Sequence, residues 1–396
     1  MSTPDKSETI SQPEPQPATV ATRAGLATDP AYRAVVPPIY LSTNYAFDDI
    51  DRRGPFDYSR SNNPTRQILA EALAQLEFGQ GAEITSSGLG AITACLHSLT
   101  RPGDLVLAPH DCYGGTWRLL DALARRGVIR LELTDLTDPA ALDTITRLRP
   151  ALVWVETPSN PLLRITDIAA VAEASHAVGA QVVADNTFLS PALQNPLQLG
   201  ADVVVHSTTK YINGHSDVIG GLVVAGQAER AEDLRWWCNA LGLTASAFDC
   251  YLVLRGLRTL FPRVRAHCDN AAHIVATIAG HPALTALHYP GLADHPGHQL
   301  AARQQHGFGA MISFDVGGEA AARRFLQGLR HFSLAESLGG VESLVCHPGW
   351  MTHAAMPPQI QAAAGLTPGL LRLSVGVESA ADLAADLLAG LDRALG

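Results

Sequence analysis

The chain has 396 residues, 47% of them hydrophobic, which is enough for two domains with substantial cores. Its 28 Lys+Arg against 38 Asp+Glu leave a net charge of −10, which argues against nucleic acid or an anionic membrane as a partner. No apolar run is long enough to span a bilayer, the N-terminus lacks the basic-then-apolar layout of a signal peptide, and the six cysteines form no C-x-x-C pair; a cytoplasmic protein with reduced thiols is expected.

Residues 1–20 carry four prolines and almost no large apolar side chains, so they are expected to be a disordered tail. Residues 21–62 read as an irregular, proline-rich arm of the kind that reaches over a neighbouring subunit. From about 65 onward helix and strand alternate. Three continuous apolar runs, 151–155, 181–184 and 202–205, have the pattern of strands buried on both faces. Between the first two, Ile168, Val171, Ala172 and Ser175 share one helical face, with Thr166 or Asp167 as cap and Gly179 as stop. Strand–helix–strand with short links implies parallel crossovers, hence an α/β domain over 63–256. A second domain is expected over 257–396, with a strand at 311–315 and a helix from about Ala380.

Lysine use singles out one residue. The chain has two lysines, Lys6 in the tail and Lys210 at the end of the run 202–205; the other basic residues, histidine apart, are arginines. Arginine can replace lysine wherever a solvated charge suffices, but it cannot form a Schiff base. Ligands of open α/β sheets bind outside the carboxyl ends of the strands. The three runs end in 156–161 (ETPSNP), 185–187 (DNT) and 206–210 (HSTTK), which would bring one lysine, one aspartate and several hydroxyls to one place. That group suits pyridoxal phosphate (PLP): Lys210 for the aldehyde, and Asp185 either for the pyridine nitrogen or as a turn former, the first being favoured beside Lys210. The segment 84–92 (ITSSGLGAI) opens a helix with apolar face Ile92, Cys95, Leu96 and Leu99; its free amides and hydroxyls form an anion site for the phosphate. Ser207 and Thr209 can add hydroxyls, and Tyr58 with Arg60 can add a clamp from the arm. Arg372, in an apolar strand, is either a paired structural charge or a carboxylate clamp. Tyr113, before Gly114-Gly115, is either a ring stacked on a pyridine or a core aromatic. His295 and His298 lack further ligands at suitable spacing, so no metal site is expected.

These motifs resemble the Cys/Met-metabolism family of PLP enzymes, through nearly the whole chain from about residue 22. The segment 202–216 (DVVVHSTTKYINGHS) fits that family's lysine signature throughout. The resemblance implies the type I (aminotransferase-like) fold, a mostly parallel sheet domain plus a smaller C-terminal α/β domain. By resemblance Lys210 is the Schiff-base lysine, Asp185 the pyridine-nitrogen partner and Tyr113 the stacking ring with a share in proton transfer. Gly88, Leu89, Ser207 and Thr209 match the phosphate cup, and Thr187 and Asn160 other cofactor contacts. Tyr58 and Arg60 match a clamp from a neighbouring subunit, implying dimers with shared active sites, usually paired into a homotetramer. Arg372 matches the α-carboxylate arginine, and Asp57, Arg118, Glu336 and Ser337 the substrate pocket. The runs 108–115, 185–195 and 335–343 look like those of family members that perform γ-replacement. The sequence departs from the usual pattern at Asn62, Leu89 and Trp350.

The expected activity is γ-replacement on small amino acids: O-succinyl-L-homoserine and L-cysteine give L-cystathionine and succinate. The alternatives are γ-elimination from cystathionine, an O-acetyl donor in place of the succinyl one, and a non-enzymatic PLP-fold regulator, which the intact set Lys210, Asp185, Tyr113 and Arg372 argues against.

Overall fold

The computed structural model describes residues 15–396; residues 1–14, most of the predicted tail, lie outside the described residues. The rest of that segment departs from expectation, because Pro17–Arg23 is a helix. Proline in its first turn and its alanines favour the start, and Ala21 is buried against the helices Pro64–Leu76 and Leu260–Ile278. The covering surface lies far away in sequence, so composition alone hides it. The arm that follows is largely irregular, apart from a ribbon of β1 (Phe47–Asp49) and β2 (Arg52–Arg53). It exposes Tyr32 and Ile50 almost fully and Leu41 largely.

Seven strands form the large sheet: β3 (Gly81–Thr85), β4 (Leu105–Pro109), β5 (Arg130–Thr134), β6 (Leu152–Glu156), β7 (Gln181–Asp185), β8 (Val203–His206) and β9 (Gly221–Ala225). Their order is β3-β9-β8-β7-β6-β4-β5, and all run in one direction except β9, which is antiparallel to both neighbours. The three predicted strands are β6, β7 and β8. Their middles are apolar on both faces because helices cover both: Trp154, Val183 and Val205 pack towards Gly88–Leu99, whereas Val153, Val182 and Ala184 pack towards Ile168–Ala177. The latter helix is capped by Asp167, whose side chain accepts from the Ala170 amide, and Gly179 follows it at φ +81°.

The long helix Leu260–Ile278 leads to a second sheet: β10 (Ala286–His288), β11 (Met311–Asp315), β12 (Ser333–Leu334), β13 (Leu344–Cys346) and β14 (Leu370–Ser374), in the order β10-β11-β14-β13-β12. The predicted strand at 311–315 and terminal helix, Ala380–Leu395, are both present. No helix among the described residues is long and apolar enough to cross a membrane. Five of the six cysteines are buried.

The turn after Lys210 is locked by a buried cation. Arg263 donates from Nη1 to Tyr211 O (2.8 Å) and from Nη2 to Gly256 O (2.8 Å) and Ile212 O (3.2 Å). Gly214, at φ +74°, leaves room for it, since a Cβ there would lie 1.9 Å from Arg263 Nη1. Burial lowers the Arg263 guanidinium to about 10, still charged at neutral pH. Replacing Arg263 by Leu strands those carbonyls and is expected to destabilise the fold by about 2–4 kcal/mol. A shift in chemical-denaturation midpoint reads this out; an unchanged midpoint contradicts the clamp.

Candidate active site

The strand register builds the site. Glu156 on β6 pairs with Asp185 on β7, and Asp185 with Val205 on β8, so the carboxyl ends are level. From there the chain passes through Ser207 and Thr209 to Lys210. All of these residues line one cavity of about 400 Å³. Its opposite wall comes from the second sheet, with Arg372 on β14 and Glu336-Ser337 in the loop after β12.

Lys210 Nζ donates to Ser337 Oγ at 2.7 Å. Burial, aided by the Arg372 charge and opposed by Glu336, lowers the amine to about 8. Ser337 adopts φ +85°. Its carbonyl accepts from Arg372 Nη2 (3.0 Å), and Arg372 Nη1 donates to Asn160 Oδ1 (2.7 Å). The guanidinium is buried, and its Nε has no hydrogen-bond partner among the described residues. One cavity-facing arginine is thus held in place with donor capacity left over. Arg118 and Glu336 line the same cavity.

Asp185 Oδ1 accepts from the Thr187 amide (3.0 Å), while Thr187 Oγ1 accepts from the Ser207 amide (2.9 Å). Thr187 therefore sets both the carboxyl and the loop towards Lys210. Burial pushes the Asp185 carboxyl up, and bonding to Thr187 opposes this. At the other end of the cavity, Ser87 caps the helix Gly88–Leu99 by accepting from the Gly90 amide (3.1 Å). Gly88 lies so close to Ser207 that a Cβ would stand 3.0 Å from the serine Cβ. Thr209 lines the cavity, with its hydroxyl bonded to both Gly220 O and Gly220 N. The Tyr113 ring lies over Gly115, where a Cβ would be 2.4 Å from its Cε1. Burial raises its phenol, and Arg118 opposes the rise.

Three predicted residues stand apart. Asp57, Tyr58 and Arg60 do not line this cavity. Asp57 pairs with Arg53 (2.9 Å), and Arg60 Nη1 bonds Asn239 Oδ1 (2.7 Å) while lying 5.6 Å from the centroid of the Tyr58 ring.

A family model described as "Cys/Met metabolism PLP-dependent enzyme" matches residues 18–392. Cystathionine gamma-synthase of Escherichia coli is 52% identical over 378 residues, covering 95% of this chain and 98% of the relative. The crystal structure of cystathionine gamma synthase from Xanthomonas oryzae pv. oryzae in complex with cystathionine superposes with TM-score 0.96 at 59% identity, covering 97% and 99% of the two chains. Cystathionine gamma-lyase of Dictyostelium discoideum is 44% identical, covering 93% and 96%.

The chain belongs to the Cys/Met metabolism family of PLP-dependent enzymes.

The fold is accordingly the type I PLP fold, and the residues present fit the cofactor. An amine with a lowered pKa, a partly buried carboxyl lining the cavity and a helix N-terminus whose first glycine is pressed against a serine lie on one cavity, as an aldehyde, a ring nitrogen and a phosphate require.

Sequence reasoning assigned no role to three buried residues beside the site. Glu156 accepts from the Tyr113 amide (2.7 Å) and from Trp154 Nε1 (3.0 Å). His206 Nε2 lies 2.6 Å from Glu77 Oε1, and both side chains are buried. Glu156 and His206 stand at the strand ends already singled out, so their position was a signal; Glu77 offered none. Trp350, one of the departures, stacks on His347 (centroids 4.2 Å apart) and beneath Arg323 (4.5 Å), beside the cavity residues Met351 and Thr352.

Only the neutral amine is nucleophilic, so a lowered pKa moves the onset of reaction to lower pH. In protein stripped of PLP, acylation of Lys210 is expected to rise with a midpoint near pH 8, against about 10.4 for the side chain of a free lysine peptide run as a control. Peptide mapping across a pH series measures both; coincident curves would remove the burial effect.

Proposed function

We propose that the enzyme catalyses γ-replacement, joining the sulfur of L-cysteine to Cγ of an O-acylhomoserine, the O-succinyl ester being the preferred donor, with L-cystathionine and the acid as products. The observation that carries this reading is one cavity holding Lys210, Tyr113, Arg372, Arg118 and Glu336 together. The high identity to two γ-synthases supports it further.

Bound PLP supplies an electron sink for the bond electrons released at the substrate's Cα. The chain's residues do the rest. Arg372, fixed by Asn160 and Ser337, holds the α-carboxylate. Lys210 takes the α-proton and then a β-proton. At about 8 its amine has a substantial neutral fraction near neutrality and still returns protons readily, as an acid–base group must. Ser337 Oγ fixes the amine's position between transfers. Tyr113 shares the proton transfers, and its ring covers the cofactor. Asp185 would pair with the pyridine nitrogen and hold its proton there. Gly88, Leu89, Ser207 and Thr209 receive the phosphate, while Asn160 and Thr187 orient their neighbours. As the Cγ–O bond breaks the acid leaves with its electron pair, cysteine thiolate forms the Cγ–S bond, and Lys210 returns the protons to Cβ and Cα. Arg118 receives the distal carboxylate of the succinyl group, and Glu336 bounds the pocket beside it.

γ-Elimination is the second reading, because a γ-lyase is also similar to the chain. With O-succinylhomoserine and cysteine, cystathionine formation is expected to exceed release of 2-oxobutyrate; 2-oxobutyrate from cystathionine alone at a comparable rate favours the lyase. In the same assay Arg118→Ala is expected to raise KM for the O-succinyl donor about tenfold or more, leaving the O-acetyl donor far less affected. Equal effects on both donors would detach Arg118 from the succinyl carboxylate.

Tyr58, Arg60 and Asp57 are proposed to complete the site of a neighbouring copy in a cytoplasmic homotetramer built from dimers. The exposure of Tyr32, Leu41 and Ile50 on the same arm supports a covering subunit. Refolding an equal mixture of Arg60→Ala and Lys210→Ala chains should then restore roughly a quarter of native activity, since half the dimers are mixed and each carries one intact site. No recovery means that each chain uses its own Arg60.

A further inference from the structure

Glu156 is the one buried carboxyl at the cavity to which no part of the proposed reaction gives work. It stands next to Asp185 across the β6–β7 register, and both line the cavity. Two carboxyls so placed compete for any single cationic partner, and the structure separates them by their hydrogen bonds. Both oxygens of Glu156 are engaged by fixed N–H donors: Oε2 by the Tyr113 amide at 2.7 Å, and Oε1 by the indole of the fully buried Trp154 at 3.0 Å. Among the described residues Asp185 is bonded by its neighbour Thr187 alone, which leaves it the carboxyl free to meet a ligand.

The second observation concerns Tyr113 itself. It precedes the helix Gly114–Arg125 as N-cap with φ −47° and ψ 132°, and its side chain makes no capping bond. The backbone there is held by two features. Gly114 is pressed against the Thr352 carbonyl, where a Cβ would lie at 2.6 Å, and the amide is bonded to Glu156. The ring rests on Gly115. A side chain in such contact follows small shifts of its own backbone, so the amide bond decides where the ring lies.

We infer that Glu156 is a positioning residue, which fixes the Tyr113 ring over the cofactor site by holding the Tyr113 amide to the end of β6. The inference rests on the reading of Tyr113 as the stacking ring. It also assigns different tasks to the adjacent carboxyls: Asp185 faces the ligand, and Glu156 faces the protein.

The test is a double-mutant cycle on the PLP-loaded enzyme, with visible circular dichroism of the bound cofactor as a readout separate from turnover. Glu156→Ala is expected to diminish the dichroic band and to lower kcat/KM by about ten- to a hundredfold, the range for leaving a buried amide donor without its acceptor. In a Tyr113→Ala background the same change should add almost nothing, because both act through one ring. Glu156→Gln keeps one acceptor oxygen for two donors and should fall between wild type and Glu156→Ala; if the alanine variant does not fold, the glutamine variant carries the cycle with a smaller expected loss. Additive losses, or a dichroic band unchanged by either variant, overturn the inference. If Tyr113→Ala by itself leaves the band and kcat/KM unchanged, the stacking role of Tyr113 fails and the inference falls with it. If Tyr113→Ala is impaired but the losses are additive, only the role of Glu156 falls.

Discussion

Three linked hydrogen bonds, Lys210 to Ser337, Ser337 to Arg372 and Arg372 to Asn160, join the two sheets across the cavity. Lys210 and Asn160 follow strands of the large sheet, whereas Arg372 lies on β14 of the small one and Ser337 in the loop after β12. Neither sheet alone encloses the amine. It is the second sheet that removes Lys210 from water and sets a guanidinium beside it, and both effects disfavour the ammonium form. A reactive amine near neutral pH is therefore a consequence of how the two halves pack.

The same burial governs the acidic side of the cavity. Asp185 and Glu156 lie side by side where charge is costly, and burial raises both carboxyls, with Asp185 adding to the effect on Glu156. The arrangement is tolerable because each carboxyl is bonded to fixed donors, and Asp185 retains an oxygen that the proposed ring nitrogen would meet. Beneath them His206 and Glu77 form a fully buried pair, with Asn186 donating to the same Glu77 oxygen at 2.9 Å. His206 lies close enough to favour the ionised form of Asp185. The strand ends thus carry a layered set of polar groups joined by hydrogen bonds, rather than one isolated carboxyl.

On the outside, the arm presents apolar side chains with nothing packed over them and holds Tyr58 and Arg60 away from its own cavity. The Arg60 contacts are to Asn239, at the end of the helix that carries Trp236 and Trp237. Surface of that kind is what a second copy would bury. The proposed sharing of sites would then couple assembly to catalysis, because the phosphate end of the cavity would gain a cation on association.

The sequence determined the parts whose signal is local. Continuous apolar runs marked β6, β7 and β8, since strands covered on both faces have no polar side to show. The position of Lys210 was legible because arginine takes nearly every other basic place. Asp185, the glycine-opened helix at Gly88 and Arg372 were legible from residue type set against apolar context. What tertiary structure decided depends on contacts between segments far apart in the chain. The helix at Pro17–Arg23 is stable only against surfaces supplied by later helices. Glu77 meets His206 across 129 positions, Lys210 meets Ser337 across 127, and Arg263 locks the turn after Lys210 from 52 residues away. Local pattern records which face of an element is covered, but not which distant side chain covers it, and the amine's pKa and the partners of each buried charge follow from that second fact.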